Sequence, residues 1–288
     1  MMFKHVTVLG LVASAAFVAS QPAGDASARK IEPKQPVQDA PKQGGGSFAR
    51  DDSAAEKLGW RLGMQAWTFR DRSTQEAIQT TQRLGVKYMQ IYAGQTLQKS
   101  NPDVKVGVDM TAEQRELLKK MLADAGVTAL SLGVVGFKND EADARKTFEF
   151  AKAMGLENIA TEPDPDAWPL LAKLADEYGI NIACHNHPKP SRYWNPDTVL
   201  ESVKPYGKRI GVCADTGHWK RSGLEPMAGL ATLSGRILEL HFKDIDNDQD
   251  QPWGTGKCDA RGMLKALHAQ GFKAVSYTHL TLPTNREV

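Results

Sequence analysis

Between residues 62 and 275 the chain alternates two patterns of apolar positions. Short, nearly continuous apolar runs occur at 62–69, 88–92, 127–135, 158–163, 180–187, 210–216, 237–244 and 272–275. Runs of this kind, rich in Val, Ile and Leu, are what strands buried on both faces require. Between them lie longer stretches whose apolar residues recur every three or four positions, which predicts helices over 74–84, 111–125, 140–154, 167–178, 195–204, 225–233 and 260–270. Thr111-Ala112-Glu113-Gln114 has the form of a capping box at a helix start. Gly85, Gly126, Gly155, Gly179 and Gly271 stand where helix gives way to strand, the place for a left-handed helix cap. Seven strand–helix units and an eighth strand predict one α/β domain, a (β/α)8 TIM barrel. A doubly wound open sheet fits less well, because no glycine-rich phosphate loop follows the first strand.

The ends break the pattern. Lys4 and His5 precede an apolar stretch from Val6 to Val18 with small residues after it, the layout of a secretory signal peptide over 1–20, so the chain is expected to be exported, periplasmic or secreted. Residues 21–57 are rich in Pro, Gln, Lys, Ser and Gly and read as a disordered linker. The barrel is expected over 58–275. After Val275 the composition changes abruptly and no final helix is predicted. The run VSYTHLTLPTN resembles the frame translation of a transposon-derived sequencing adapter, so 276–288 is read as an adapter-derived tail and the eighth unit as truncated.

Composition adds limits. With 288 residues, 41% hydrophobic and 24% charged, the chain can bury one large core. A net charge of +2, with Lys and Arg dispersed, argues against a nucleic-acid or membrane partner. Strand alternation puts Cys184 on the face opposite His185 and Cys213 on the face of Asp215, so the two thiols are not expected to bridge.

Candidate chemistry collects at the strand ends, where a barrel of this type places its active site. Glu162 follows the fourth strand, His185 and His187 the fifth, Asp215 the sixth and His241 the seventh, with His218 just beyond the sixth. Alternation sets His185 and His187 on one face and Lys243 on that of His241. Glu162, His185, Asp215 and His241, on consecutive strands at equivalent heights, are expected to converge on one divalent cation. Mixed carboxylate and imidazole ligands suit Mn2+, Zn2+, Co2+ or Fe2+ better than Mg2+. Trp67, Phe69, Tyr92 and Trp194 are candidate pocket walls.

The run from 62 to 275 resembles the xylose-isomerase-like barrel superfamily, the sugar phosphate isomerase/epimerase group, on HNHP at 185–188, ADTGH at 214–218, LHFKD at 240–244 and PWGTGKCD at 252–259. The resemblance implies a divalent metal held by a Glu, an Asp, a His and a second Glu. It matches Asp215 and His241 to the Asp and His ligands and His218 to a substrate contact. Relatives often read ENH where this chain has His185-Asn186-His187, so the first Glu is replaced by His185 or supplied by Glu162. The second Glu belongs on strand eight, and Glu287 in the tail is not its substitute. The expected chemistry is proton transfer beside the carbonyl of a small sugar or keto-sugar, through an enediolate stabilised by the metal, with Glu162 as base. His218 and Lys243 would hold sugar oxygens, and His187, Trp67, Tyr92 and Trp194 would line the substrate. The resemblance thus implies a sugar isomerase or epimerase. The alternatives are a 3-keto-glycoside lyase of the same fold and a non-catalytic sugar-binding barrel. No phosphate-binding Arg/Lys cluster is evident along the chain, and whether it forms a homo-oligomer is open.

Overall fold

A computed structural model of the protein describes residues 50–278. The signal peptide expected over 1–20, the linker up to residue 49, and the tail from 279 onward with Glu287 lie outside the described residues.

Eight parallel strands close into a barrel: β1 Arg61–Gln65, β2 Tyr88–Ile91, β3 Thr128–Val135, β4 Asn158–Thr161, β5 Asn181–His185, β6 Ile210–Asp215, β7 Ile237–Phe242 and β8 Val275–Thr278. Each pairs with its neighbours in chain order, and β8 pairs with both β7 and β1. Helices follow the strands at Thr74–Arg83, Ala112–Asp124, Glu141–Met154, Trp168–Tyr178, Pro196–Val203, Pro226–Thr232 and Ala260–Ala269. This is the TIM barrel the apolar pattern predicts. Thr111 and Gln114 form the expected capping box, and all five glycines that end helices have positive φ, between 63° and 72°.

The main core lies between the strands and the helices, with Met64, Met89, Ile182 and Cys184 of the strands packed against Ile78, Phe148, Leu171 and Met263. Inside the barrel Ala160, Ala183 and Cys213 form one separate cluster and Leu130, Val275 and Tyr277 another. Cys184 and Cys213 therefore face opposite ways and all three cysteines are free, as strand alternation requires.

Four details differ from expectation. The first predicted strand is cut short: β1 stops at Gln65, and residues 66–69 turn into a 3-10 helix because the Gln65 side chain accepts the Trp67 N–H. The end of the expected linker is structured, since Ser53–Lys57 is helical, with Ala55 against the core and Glu56 paired to Lys87 at 2.8 Å. The eighth strand does not stop at Val275: it runs to Thr278, and Ser276 and Tyr277 are buried. Ladder bonds from β1 and β7 are made by backbone, whatever the side chain, and the Tyr277 ring fills space that Gly63 leaves empty. Finally, two antiparallel hairpins are inserted at the strand ends, Thr96–Gln98 with Asn101–Lys105 and Asp244–Asp246 with Gln249–Gln251.

The PWGTGKCD segment takes its shape from one side chain. Asp244 is buried, and its carboxylate accepts the backbone N–H groups of Gly254, Gly256 and Cys258, each at 2.9 Å. Among the described residues no helix is long and apolar enough to cross a membrane.

Candidate functional site

The ends of β4 to β7 bring the predicted residues together at the mouth of the barrel. Register sets Asp215 beside His241 and His185 beside Cys213. Asn186, fully buried, brackets Asp215: its amide donates to the Asp215 carbonyl at 3.0 Å and its oxygen accepts the Asp215 N–H at 2.8 Å. Asp215 also caps the short helix Thr216–Arg221, its Oδ1 accepting the His218 N–H at 2.9 Å. The Lys243 ammonium, itself buried, donates to Asp215 Oδ2 at 2.7 Å. The glycine of the DTGH motif makes this possible, because a Cβ on Gly217 would lie 2.7–2.9 Å from the Lys243 stem. Thr216 Oγ1 locks the arrangement by bonding both the N–H and the carbonyl of Lys243.

Three donor atoms form a compact triangle. His185 Nε2 and His241 Nδ1 are 3.1 Å apart, and Asp215 Oδ2 is 3.6 Å from each. His218 Nε2 lies 3.5 Å from the same oxygen. Ligands bound at about 2.1 Å in a tetrahedral site are about 3.4 Å apart, so these spacings fit one cation.

Glu162 does not join that triangle. It sits across the other nitrogen of His185, with Oε1 at 3.5 Å from Nδ1. Its remaining bonds point to the loop after β5: the His187 N–H at 2.7 Å, His187 Nδ1 at 2.5 Å and Ser191 Oγ at 2.8 Å. The expectation of four ligands converging on one point is thus corrected to three, with Glu162 behind His185. The reason is ring orientation: one imidazole presents its two nitrogens to opposite sides.

Electrostatics sort the members. Burial works against the charge of Asp215, but His218 and Lys243 outweigh it and hold the carboxyl well below its usual range. Burial also opposes ionisation of Glu162, yet bonds to His185 and His187 depress it strongly. A carboxylate held that low is a poor general base, which weakens the expected role for Glu162. Burial pushes His218 down to about 2 and His241 to about 3, so both imidazoles are neutral. The His185 imidazole is raised, its burial outweighed by Asp215 and Glu162.

A polar layer beneath the triangle escapes the sequence reading. His241 Nε2 lies 2.8 Å from Gln90 Oε1, so it carries the proton and leaves Nδ1 as a lone pair facing the site. Gln65 also donates to that oxygen. The Gln90 amide donates to Ser131 and to Glu239, each at 3.0 Å, and Asn158 donates to Glu239 at 3.1 Å. Gln65, Gln90 and Glu239 alternate with apolar residues in their strands, and that alternation was the available signal.

The site opens into a cavity of about 740 Å3 lined by Trp67, Tyr92, Glu162, His185, His187 and Lys243 among others. Trp67 and Tyr92 meet edge to face at 4.7 Å, and Phe69 contributes to the wall. Trp194 does not line it: that ring lies in the loop after β5, covered by the Lys189 ammonium at 4.0 Å. The donor set fits a borderline divalent metal, two imidazole nitrogens and a carboxylate oxygen with a third imidazole nearby. The buried His218 Nδ1 has no hydrogen-bond partner, an orphaned polar atom at the edge of the site.

Comparison with known proteins agrees with the fold. The sequence profile of xylose isomerase-like TIM barrels matches residues 78–280. The chain belongs to that family. A crystal structure of an uncharacterized Parabacteroides distasonis protein is 31% identical, covers 76% of this chain and 90% of that one, and superposes with a TM-score of 0.64. Two more distant members share the family fold. D-psicose 3-epimerase of Clostridium cellulolyticum, solved with D-tagatose, is 13% identical over 76% of this chain and 84% of that one, TM-score 0.59. IolI, solved with a zinc atom, is 16% identical over 77% and 90%, TM-score 0.58. Among curated relatives in the family, an inosose dehydratase of Lactiplantibacillus plantarum is 28% identical over 91 residues, 32% of this chain. The matched stretch spans 29% of that relative's length.

Proposed function

We propose that this barrel is a divalent-metal-dependent enzyme that removes a proton beside the carbonyl of a keto-sugar or keto-polyol. The observation that carries the reading is the triangle of His185 Nε2, Asp215 Oδ2 and His241 Nδ1 at the floor of the cavity. These three residues would hold the metal, which would supply Lewis-acid polarisation of the substrate oxygens. IolI was solved with zinc, which supports a metal of the borderline class.

The chain's own residues define the rest. His187 lines the cavity, its side chain 46% exposed, and its Nδ1 is tied to Glu162 at 2.5 Å. A carboxylate behind one ring nitrogen fixes the tautomer and leaves the other nitrogen to take a proton, the logic of a His–carboxylate dyad. His187 is therefore the base, with Glu162 orienting it. His218, a neutral imidazole at the edge of the site, hydrogen-bonds substrate hydroxyls without delivering a proton. Lys243 neutralises Asp215 and is the cation nearest to a developing oxyanion. Trp67 and Tyr92 shape the wall and exclude water.

The enediolate left by proton removal has two fates. Return of the proton to a neighbouring carbon, or to the opposite face, makes the protein an isomerase or epimerase, and the D-psicose 3-epimerase fold supports this. Expulsion of a group on the adjacent carbon makes it a dehydratase or lyase, supported by the inosose dehydratases among its relatives. The deciding test incubates metal-loaded protein with D-fructose, D-psicose and an inosose in deuterated water. Deuterium at one carbon without bond cleavage marks the isomerase; loss of water with a new unsaturated ketone marks the dehydratase. Neither reaction, with intact metal loading, overturns the enzymatic reading and leaves a sugar-binding barrel.

A further inference from the structure

A second cavity of about 540 Å3 adjoins the first and shares Trp67, Arg70, Asp71, Arg72 and Tyr92 with it. Its outer wall is the inserted hairpin, which brings Lys99 and Lys105 opposite the two arginines. This is a basic cluster that the dispersed charges along the chain do not reveal, because its members come from the loop after β1 and the hairpin after β2.

The four cations are not equivalent. Lys99 is paired with Glu76 at 2.6 Å and Lys105 donates to Thr96 Oγ1 at 2.6 Å, bonds that fasten the hairpin to the helix Thr74–Arg83 and to itself. Among the described residues neither Arg70 nor Arg72 has a carboxylate within ion-pair distance. Instead each guanidinium lies over an aromatic ring, Arg70 at 5.1 Å from Trp67 and Arg72 at 5.6 Å from Phe69. Arg70 also donates one N–H to the Trp67 carbonyl at 3.4 Å, and the donors that remain on the two steadied guanidinium groups are available to an oxyanion. Asp71 and Glu76 leave the rim with a surplus of positive charge.

Size points the same way. A single hexose has about a dozen non-hydrogen atoms, whereas pockets of ~300–1,000 Å3 take drug-sized ligands. The inner cavity alone is large for one sugar ring, and the outer one extends it past Trp67, which is 42% exposed at the junction.

We infer that the outer cavity is a subsite for an anionic group, a carboxylate or a phosphate, carried by the distal part of the substrate, so that the substrate is an acidic or phosphorylated saccharide. The inference rests on the sugar reading given above but not on the metal. Binding and reaction are separable: Arg70 and Arg72 grip the oxyanion, Trp67 stacks on the sugar between, and the reacting carbon reaches the triangle.

The test uses metal-free protein, so that no anion can be held by a bound cation. D-glucose, D-glucuronate and D-glucose 6-phosphate are titrated by calorimetry and by tryptophan fluorescence. At least one anion is expected to bind about tenfold or more tightly than glucose, with the advantage shrinking as salt rises. The advantage should vanish in Arg70→Gln/Arg72→Gln, whose exposed side chains allow the fold to be verified by circular dichroism. Glucuronate against the phosphate tells which oxyanion is preferred. No anion preference, or one that survives the double substitution, overturns the inference. Asp215→Asn separates the two readings: it is expected to abolish metal binding and keep the anion preference, and loss of both would move the anion to the inner site and overturn the subsite.

Discussion

Asp215 and Glu239 are both fully buried inside the barrel, one at the mouth and one a layer deeper, and burial acts on both in the same direction. Their environments nonetheless push them apart. Asp215 faces an ammonium and three imidazoles and is held well below the usual carboxylate range. Glu239 is surrounded by neutral donors from Gln90, Ser131 and Asn158, and burial pushes it up. Depth does not decide the protonation of an enclosed acid; the charge of its partners does. The mouth is a charged layer in which a cation can be held. The layer beneath is a set of uncharged donors around one carboxyl that burial raises, and Gln90 ties it to His241 at the mouth.

The largest effect should come from Asp215→Ala. It strands the buried Lys243 ammonium, and removing one partner of a buried pair costs about 3–5 kcal/mol. Urea unfolding should show that loss, and elemental analysis should show the bound metal gone. Unchanged metal content would mean that the charged layer is not the cation site. Acid should erase the same difference in stability. A carboxyl depressed in the folded state contributes stability that is fully present above its unfolded value, near 3.8, and is lost as the pH falls further. Wild type and Asp215→Asn should therefore draw together in urea melts taken at pH 3 as against pH 6.

An intermediate effect is expected for Gln90→Leu. Outer partners of ligating histidines are typically worth ten- to a hundredfold in metal affinity, and competition with a fluorescent chelator should read a loss in about that range. The smallest effect belongs to Glu239→Gln. Its folded-state pKa lies above the unfolded value near 4.5, so ionising it costs stability as the pH rises past that value. The variant keeps a polar group of the same shape, and its melting temperature should gain on wild type between pH 5 and pH 8. The gain should reach a few degrees at most, about 2–4 °C for ~1 kcal/mol in a domain of this size. A loss growing with pH would show that Glu239 is ionised and paired, and the contrast with Asp215 would fail.

The barrel itself was readable from apolar periodicity because its strands are buried on both faces and the helices that follow them on one. His185, Asp215 and His241 were readable for a related reason: a titratable residue at the end of an apolar run is out of place unless it lines something. The division of labour around them was not. That Glu162 meets His185 from behind depends on which ring nitrogen points where, and spacing along a strand carries no such information. Gln90 and Glu239 were passed over because a polar residue inside a strand looks like a solvated face until closure of the barrel encloses it. The arginines at the rim were missed because Arg70 and Lys105 line one cavity through a hairpin that the apolar pattern did not predict. Trp194 was misplaced for the converse reason, since its loop folds it under Lys189 and away from the cavity.

The clasp made by Asp244 has an architectural consequence. A single carboxylate does for the segment from Gly254 to Cys258 what a whole ladder of pairings does elsewhere, so the backbone of this stretch is held by its spacing and not by its outward-facing side chains. The knot also lies one residue from Lys243. The barrel can thus vary the outward side chains of this rim while the ammonium beside Asp215 stays anchored at a constant height.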